Sequence, residues 1–85
     1  MVRSLRTPGH RALMQVLIEA RKENEVTQQD LANRLSRPQS YIAKVETGER
    51  RLDVVEFIEW ADALNLSPSD LIARVRETAQ CVRED

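Results

Sequence analysis

The 85-residue sequence has few of the residues on which metal, redox or catalytic chemistry usually depends. Its one cysteine, Cys81, cannot form an internal disulfide, and its one histidine, His10, has no cysteine or acidic partner at metal-ligand spacing. The two glycines form no phosphate-binding loop, and the sequence shows no plausible nucleophile constellation. We therefore expect a protein that is not an enzyme and that binds no metal or cofactor.

Long apolar runs and a marked excess of one charge are also absent. No apolar stretch approaches the ~20 residues of a membrane span, and the first residues lack the apolar core of a signal peptide. Thirteen Lys and Arg against fourteen Asp and Glu give a net charge of -1, which argues against indiscriminate coating of polyanions. We expect a cytoplasmic chain without membrane contact, in which any nucleic-acid contact is local.

What the sequence does have is a central stretch, Thr27 to Gly48, that predicts two short helices joined by a tight turn. Thr27 can cap the first of these helices, and Asp30 three residues later completes a capping-box pair. Gly48 can adopt the left-handed conformation that ends the second. The apolar side chains that recur here at helical spacing are Leu31, Leu35, Ile42 and Val45.

Three further helices are predicted around this pair. The first runs from about Gly9 to Asn24, with Asn24 as its left-handed exit. The spacing of a cap followed by an acidic residue recurs as Asp53 with Glu56 and as Ser67 with Asp70, where two more helices begin. The sequence thus predicts an all-α, compact five-helix bundle, with an arm at 1–8, a domain at 9–76 and a helical extension or frayed tail at 77–85. In the helix after Asp53 the predicted buried stripe is Val54, Phe57, Ile58, Ala61 and Leu64, with Trp60 on its edge.

The last helix allows two interpretations. Ile72, Val75, Ala79 and Val82 step by three, four and three residues, which is the spacing of a narrow seam between helices and predicts a homodimer contact. Alternatively, Ile72 and Val75 complete the core of the monomer and the residues after 78 fray.

Charge is distributed unevenly along the chain. Residues 34–51 carry five basic and two acidic side chains, whereas residues 53–70 carry five acidic and no basic ones. The basic segment is therefore the candidate DNA-binding face, although both segments are also compatible with ordinary solvated helix surfaces.

The helix order and the segment TQQDLANRLSRPQSYIAKVETGERRLDVVEFIEWADALNLSPSDL resemble the helix-turn-helix family of phage Cro and C1 repressors and bacterial XRE-type regulators. The resemblance extends from Leu13 to about Ile72 and implies a lambda-repressor-like DNA-binding domain. The individual matches are Thr27 and Gln28 at the start of the second helix, Ala32 where the paired helices touch, Glu46 and Gly48 at the end of the third helix, and Ala61, Leu64 and Leu66 in and after the fourth.

The resemblance also implies roles for individual residues. Gln39, Ser40 and Lys44 match positions that contact bases, and glutamine suits adenine while lysine suits guanine acceptors. Arg21 and Glu46 match a structural ion pair between the first and third helices. The residues that would contact the DNA backbone are Gln28, Arg37, Tyr41, Arg50 and Arg51.

Three positions depart from the family pattern. Glu25 and Ser36 stand where glycine is common in the two turns, and Pro38 cannot supply a side-chain cap for the third helix. We expect Ser36 or a water molecule to take over that cap.

The function that we infer from the sequence is a sequence-specific transcriptional regulator that binds double-stranded DNA as a homodimer. Within this class, a prophage repressor, a restriction-modification controller and an antitoxin remain alternatives. The acidic face from Asp53 to Asp70 could cover a toxin partner. A protein-interaction module without DNA binding is the alternative from another class, and the acidic isoelectric point favours it.

Overall fold

The computed structural model describes the backbone of residues 7–83 and the side chains of residues 7–80. Residues 1–6 of the predicted arm, residues 84 and 85, and the Cys81 and Val82 side chains lie outside the described part. The described part contains five α-helices and no strand, so the predicted all-α fold is confirmed. The helices are α1 (Pro8–Glu23), α2 (Gln28–Leu35), α3 (Gln39–Thr47), α4 (Val54–Ala63) and α5 (Pro68–Arg83).

The helix starts depend on short-range hydrogen bonds. α2 begins with a capping box, since the Thr27 hydroxyl accepts from the Asp30 amide at 3.0 Å and the Asp30 carboxylate accepts from the Thr27 amide at 3.1 Å. Asp53 and Glu56 form the same reciprocal pair before α4. Thr7, assigned to the arm in the sequence-based prediction, caps α1 by accepting from the His10 amide at 3.1 Å. The Thr-Pro pair was the signal for this start.

The turns correct two expectations. Asn24 has a φ of -94°, and the left-handed conformation falls instead on Glu25, with a φ of 58°. Ser36 has a φ of 57° and ends α2, so it does not cap α3, whose N-cap Pro38 makes no side-chain hydrogen bond. Gly48 has a φ of 86°, and a Cβ at this position would lie 2.8 Å from Met14 Sδ. Glycine is therefore favoured at the end of α3 by its backbone conformation, and a larger residue would also displace the end of the Met14 side chain.

The core lies among the five helices, with α1 packed against α3 and α5, α2 against α3 and α4, and α4 against α5. Its largest fully buried side chains include Leu17 on α1, Leu31 on α2, Ile42 on α3 and Leu71 on α5. Trp60, expected on the edge of the buried stripe, is completely buried and belongs to the core cluster.

The predicted stripe of α4 was also partly wrong. Val54 and Ile58 are 73% and 41% exposed, because Phe57, Trp60, Ala61 and Leu64 direct the neighbouring face of the helix toward the core.

Val55 at 64% and Ile72 at 55% are exposed as well, which excludes the interpretation that Ile72 completes the monomer core. We call Val54, Val55, Ile58 and Ile72 the α4–α5 apolar patch. Val75 is half-buried and packs against the core, and Ala79 is half-buried.

None of the described helices combines the length and the apolar character that crossing a bilayer requires.

Candidate nucleic-acid interface

One face of α3 packs into the protein and the opposite face is exposed. Ile42 and Val45 are 0% and 2% exposed, which fixes the rotation of the helix about its axis. Gln39, Ser40 and Lys44 are consequently all exposed. The structure thus brings the three predicted base-contacting residues together on the exposed surface of one helix.

A chain of polar contacts leads from the interior to this surface. Arg21 on α1 and Glu46 on α3 form a buried ion pair with hydrogen bonds of 2.7 and 3.2 Å, and Arg21 also donates to the Val26 carbonyl at 2.9 Å. Gln28 donates from Nε2 to the Glu46 carboxylate at 2.9 Å, and its Oε1 accepts from Gln39 Nε2 at 2.8 Å. Glu46 therefore orients Gln28, and Gln28 orients the Gln39 amide.

This network explains why the buried charge of Glu46 is tolerated in the last turn of α3. Every oxygen of the Glu46 carboxylate has a donor, and among the described residues no buried side-chain nitrogen or oxygen lacks a partner. Removing Arg21 alone would leave a desolvated carboxylate, which typically costs about 3–5 kcal/mol. The ion pair thus fixes α3 relative to α1.

Tyr41 does not lie on the exposed surface where it was expected. Its side chain is 8% exposed and packs edge-on against Trp60, with ring centroids 6.2 Å apart and an interplanar angle of 65°. The Tyr41 hydroxyl accepts a hydrogen bond of 3.2 Å from the indole Nε1 of Trp60. The ring thus anchors the first turn of α3 to α4, which the helical periodicity of α3 alone did not indicate.

Two of the arginines predicted to contact the DNA backbone gather around Tyr41. The guanidinium carbons of Arg37 and Arg50 lie 4.5 and 4.8 Å from the centre of its ring. Glu56 accepts from Arg50 at 3.0 and 2.8 Å and lies 3.6 Å from Arg37. The hydrogen bond from Arg50 is the largest influence that lowers the pKa of Glu56, and the bond to Glu56 raises the pKa of Arg50. Local spacing indicates Glu56 only as a capping residue, because its partners Arg37 and Arg50 belong to other parts of the chain.

Arg34 and Arg51 of the basic segment make contacts away from Tyr41. Arg34 donates to the Ala63 carbonyl at 2.7 Å and so joins α2 to the end of α4. Arg51 is exposed near His10, where a groove of about 370 Å³ separates α1 from the start of α4. Burial, and to a smaller extent the charge of Arg51, lowers the pKa of His10. Across residues 7–80, no three His, Cys, Asp or Glu side chains are grouped so that they could hold a metal ion.

Comparisons with known proteins agree with this geometry. A helix-turn-helix family profile matches residues 17–71 of the chain. The solved structure of an XRE-family like protein from Pseudomonas syringae pv. tomato str. DC3000 is 40% identical, with a TM-score of 0.76, over 81% of this chain and 84% of that one. No curated protein matches the sequence. The chain belongs to the XRE-type helix-turn-helix family of DNA-binding regulators.

Proposed function

We propose that the protein is a sequence-specific, repressor-like cytoplasmic regulator that places α3 in the major groove of double-stranded DNA as a homodimer. The observation that carries this proposal is the exposure of Gln39, Ser40 and Lys44 on α3 opposite the buried Ile42 and Val45. Its mechanism is occupancy, in which two copies of α3 lie in successive major grooves and block polymerase at a promoter.

Among the three proposed base-contacting residues, Gln39, Ser40 and Lys44, the first and the last differ most in chemistry. Gln39 gives one amide N–H to Gln28, which holds the amide plane while its oxygen and second N–H stay available for a base edge such as adenine. Lys44 lies one turn and a half further along α3 and suits the O6 and N7 acceptors of guanine.

The proposal is tested by measuring the affinity of Lys44→Ala for two duplexes. The first duplex is an operator selected by the wild-type chain from a random library, and the second is a scrambled version of the same length. We expect Lys44→Ala to weaken operator binding by about 1–3 kcal/mol, measured by fluorescence anisotropy, and to change binding to the scrambled duplex much less. Equal losses on both duplexes would show that Lys44 contributes charge without reading a base.

The α4–α5 apolar patch supports the homodimer. Val54 of α4 and Ile72 of α5 line one groove, so members of the patch on the two helices lie near each other. α4 carries exposed acidic side chains and no basic one, whereas Arg76 lies beside Ile72 on α5. A second copy related by two-fold symmetry can cover the patch and pair these charges, and it would present two α3 helices to half-sites ~34–36 Å apart.

A further inference from the structure

Arg37 and Arg50 converge on one aromatic ring from the two ends of α3. Arg37 precedes the helix and Arg50 follows it, yet both guanidinium carbons lie within 5 Å of the centre of the Tyr41 ring, at 4.5 and 4.8 Å. Both guanidinium groups are positively charged, so a carboxylate beside them would stabilise the arrangement.

Glu56 supplies that carboxylate from α4. It pairs with both guanidinium groups, and Oε1 also accepts from the Asp53 amide at 3.0 Å, so the start of α4 holds it in place. Only 12% of the Glu56 side chain is exposed, whereas 39% of the Arg50 and 38% of the Arg37 side chain are. The carboxylate is thus covered while a substantial part of each arginine remains accessible to a ligand.

We propose that Glu56 is a positioning residue of the DNA interface, an inference that rests on the proposed DNA-binding function. It holds Arg37 and Arg50 against Tyr41, so that their remaining N–H donors meet the sugar-phosphate backbone in fixed directions. Long side chains that are already ordered lose less conformational entropy on binding. The fixed directions also set the register in which α3 meets the bases, since phosphate contacts position the protein on the duplex.

If Glu56 acted only through its charge, its removal would strengthen DNA binding. Removing a negative charge beside a polyanion strengthens binding to every duplex. Under the positioning role, however, removing Glu56 frees both arginines and weakens binding to the operator. The two explanations therefore differ in sign.

The test is Glu56→Gln, measured on the selected operator and on the scrambled duplex at one salt concentration. Glutamine keeps the length of the side chain and an oxygen that can accept from the Asp53 amide, so α4 retains its start. We expect operator affinity to fall about tenfold, which corresponds to ~1.4 kcal/mol, while the scrambled duplex is bound as tightly as before or slightly more tightly.

Glu59→Gln is the matched control, because Glu59 is an exposed acid on the same helix and the substitution makes the same change in charge. It should leave the ratio of the two affinities unchanged. In a variant carrying Arg37→Ala and Arg50→Ala, adding Glu56→Gln should change operator affinity less than about twofold. Tighter binding of Glu56→Gln to both duplexes, or an undiminished tenfold loss without the arginines, would overturn the positioning role.

A measurement on the free protein separates this proposal from the DNA-binding function. Nitrogen-15 relaxation of the arginine Nε groups should show Arg37 and Arg50 ordered in the wild type and more mobile in Glu56→Gln. If the wild type selects no operator, the DNA-binding function fails, and positioning of the interface fails with it. If an operator is selected but the mobility of both arginines is unchanged by Glu56→Gln, only the positioning role is overturned.

Discussion

At the scale of single residues, the backbone conformation of Ser36 has a measurable consequence. Ser36 is one of three described residues other than glycine with positive φ, together with Glu25 and Asn65. A left-handed conformation costs about 1–2 kcal/mol for a residue with a Cβ, less for asparagine and nothing extra for glycine. Ser36 is exposed and its turn is the one that orients α3 against α2.

We predict that Ser36→Gly raises the free energy of unfolding by about 0.5–1 kcal/mol, measured by urea denaturation, because the strain of the turn is relieved. Ser40→Gly makes the same chemical change at a helical position on α3, where glycine is unfavourable, and it should lower that free energy instead. A loss of stability in Ser36→Gly would mean that the hydroxyl contributes more than the strain removes.

The contacts of the Tyr41 and Glu56 side chains could not be predicted from the sequence. Tyr41 lies on α3 between the exposed Ser40 and the buried Ile42, so periodicity alone left its environment open. Its burial depends on Trp60, which lies 19 residues away along the chain. Glu56 likewise could be identified as a cap from Asp53, whereas its pairing with Arg50 depends on how α4 meets the end of α3.

At the scale of elements, the sequence was most informative at helix starts. A cap and its partner are only three residues apart, so local spacing is enough to predict them. Both capping boxes, Thr27 with Asp30 and Asp53 with Glu56, could therefore be predicted without any tertiary contact. The buried face of α4 was harder to predict, since its residues are apolar around most of the helix. Which of Val54 and Phe57 is buried depends on where α5 and α3 lie.

The capping box of α2 predicts a pH dependence. Hydrogen bonds from the Thr27 backbone amide, and secondarily from its side chain, hold the pKa of Asp30 below its usual value. Because the pKa is lower in the folded than in the unfolded state, the charged carboxylate stabilises the fold at neutral pH. This contribution decreases as the pH falls below the unfolded value of about 3.9, and it is lost below the folded pKa.

Asp30→Asn should therefore be less stable than the wild type at pH 7, with a difference that shrinks as the pH falls through the range below about 4. Urea denaturation at a series of pH values measures this difference. Asp62→Asn changes the net charge equally on an exposed site of α4 and serves as the control. A constant difference between wild type and Asp30→Asn down to pH 2 would contradict the charged cap.

At the scale of the whole molecule, four large apolar side chains of the described helices remain exposed in the α4–α5 apolar patch. Its exposed members belong to α4 and α5, on elements that do not contribute Gln39, Ser40 or Lys44. Contacts through the α4–α5 apolar patch would thus leave both copies of α3 available. The predicted seam along α5 included Ile72 but none of the α4 residues. A heptad pattern is read along one helix and does not show which residues of another helix lie beside it.

We predict that Ile72→Glu shifts the protein from dimer to monomer in sedimentation experiments, because a charge would be buried in the apolar contact. Binding to a duplex with two half-sites should weaken about a hundredfold or more as the benefit of linking two α3 helices is lost. Gln15→Glu adds the same charge on an exposed face of α1 and should leave both measurements unchanged. A wild-type protein that sediments as a monomer at every concentration would contradict the homodimer.

The polar contacts beneath α3 also limit how specificity can be transferred between relatives. A graft of residues 39–47 carries Gln39 and Glu46 into the new scaffold, whereas the amide that aligns Gln39 and the cation that neutralises Glu46 come from Gln28 and Arg21 on other helices. The graft therefore keeps the orientation of Gln39 only in a relative that has glutamine and arginine at these two positions. In a relative that lacks them, residues on three helices have to be exchanged together.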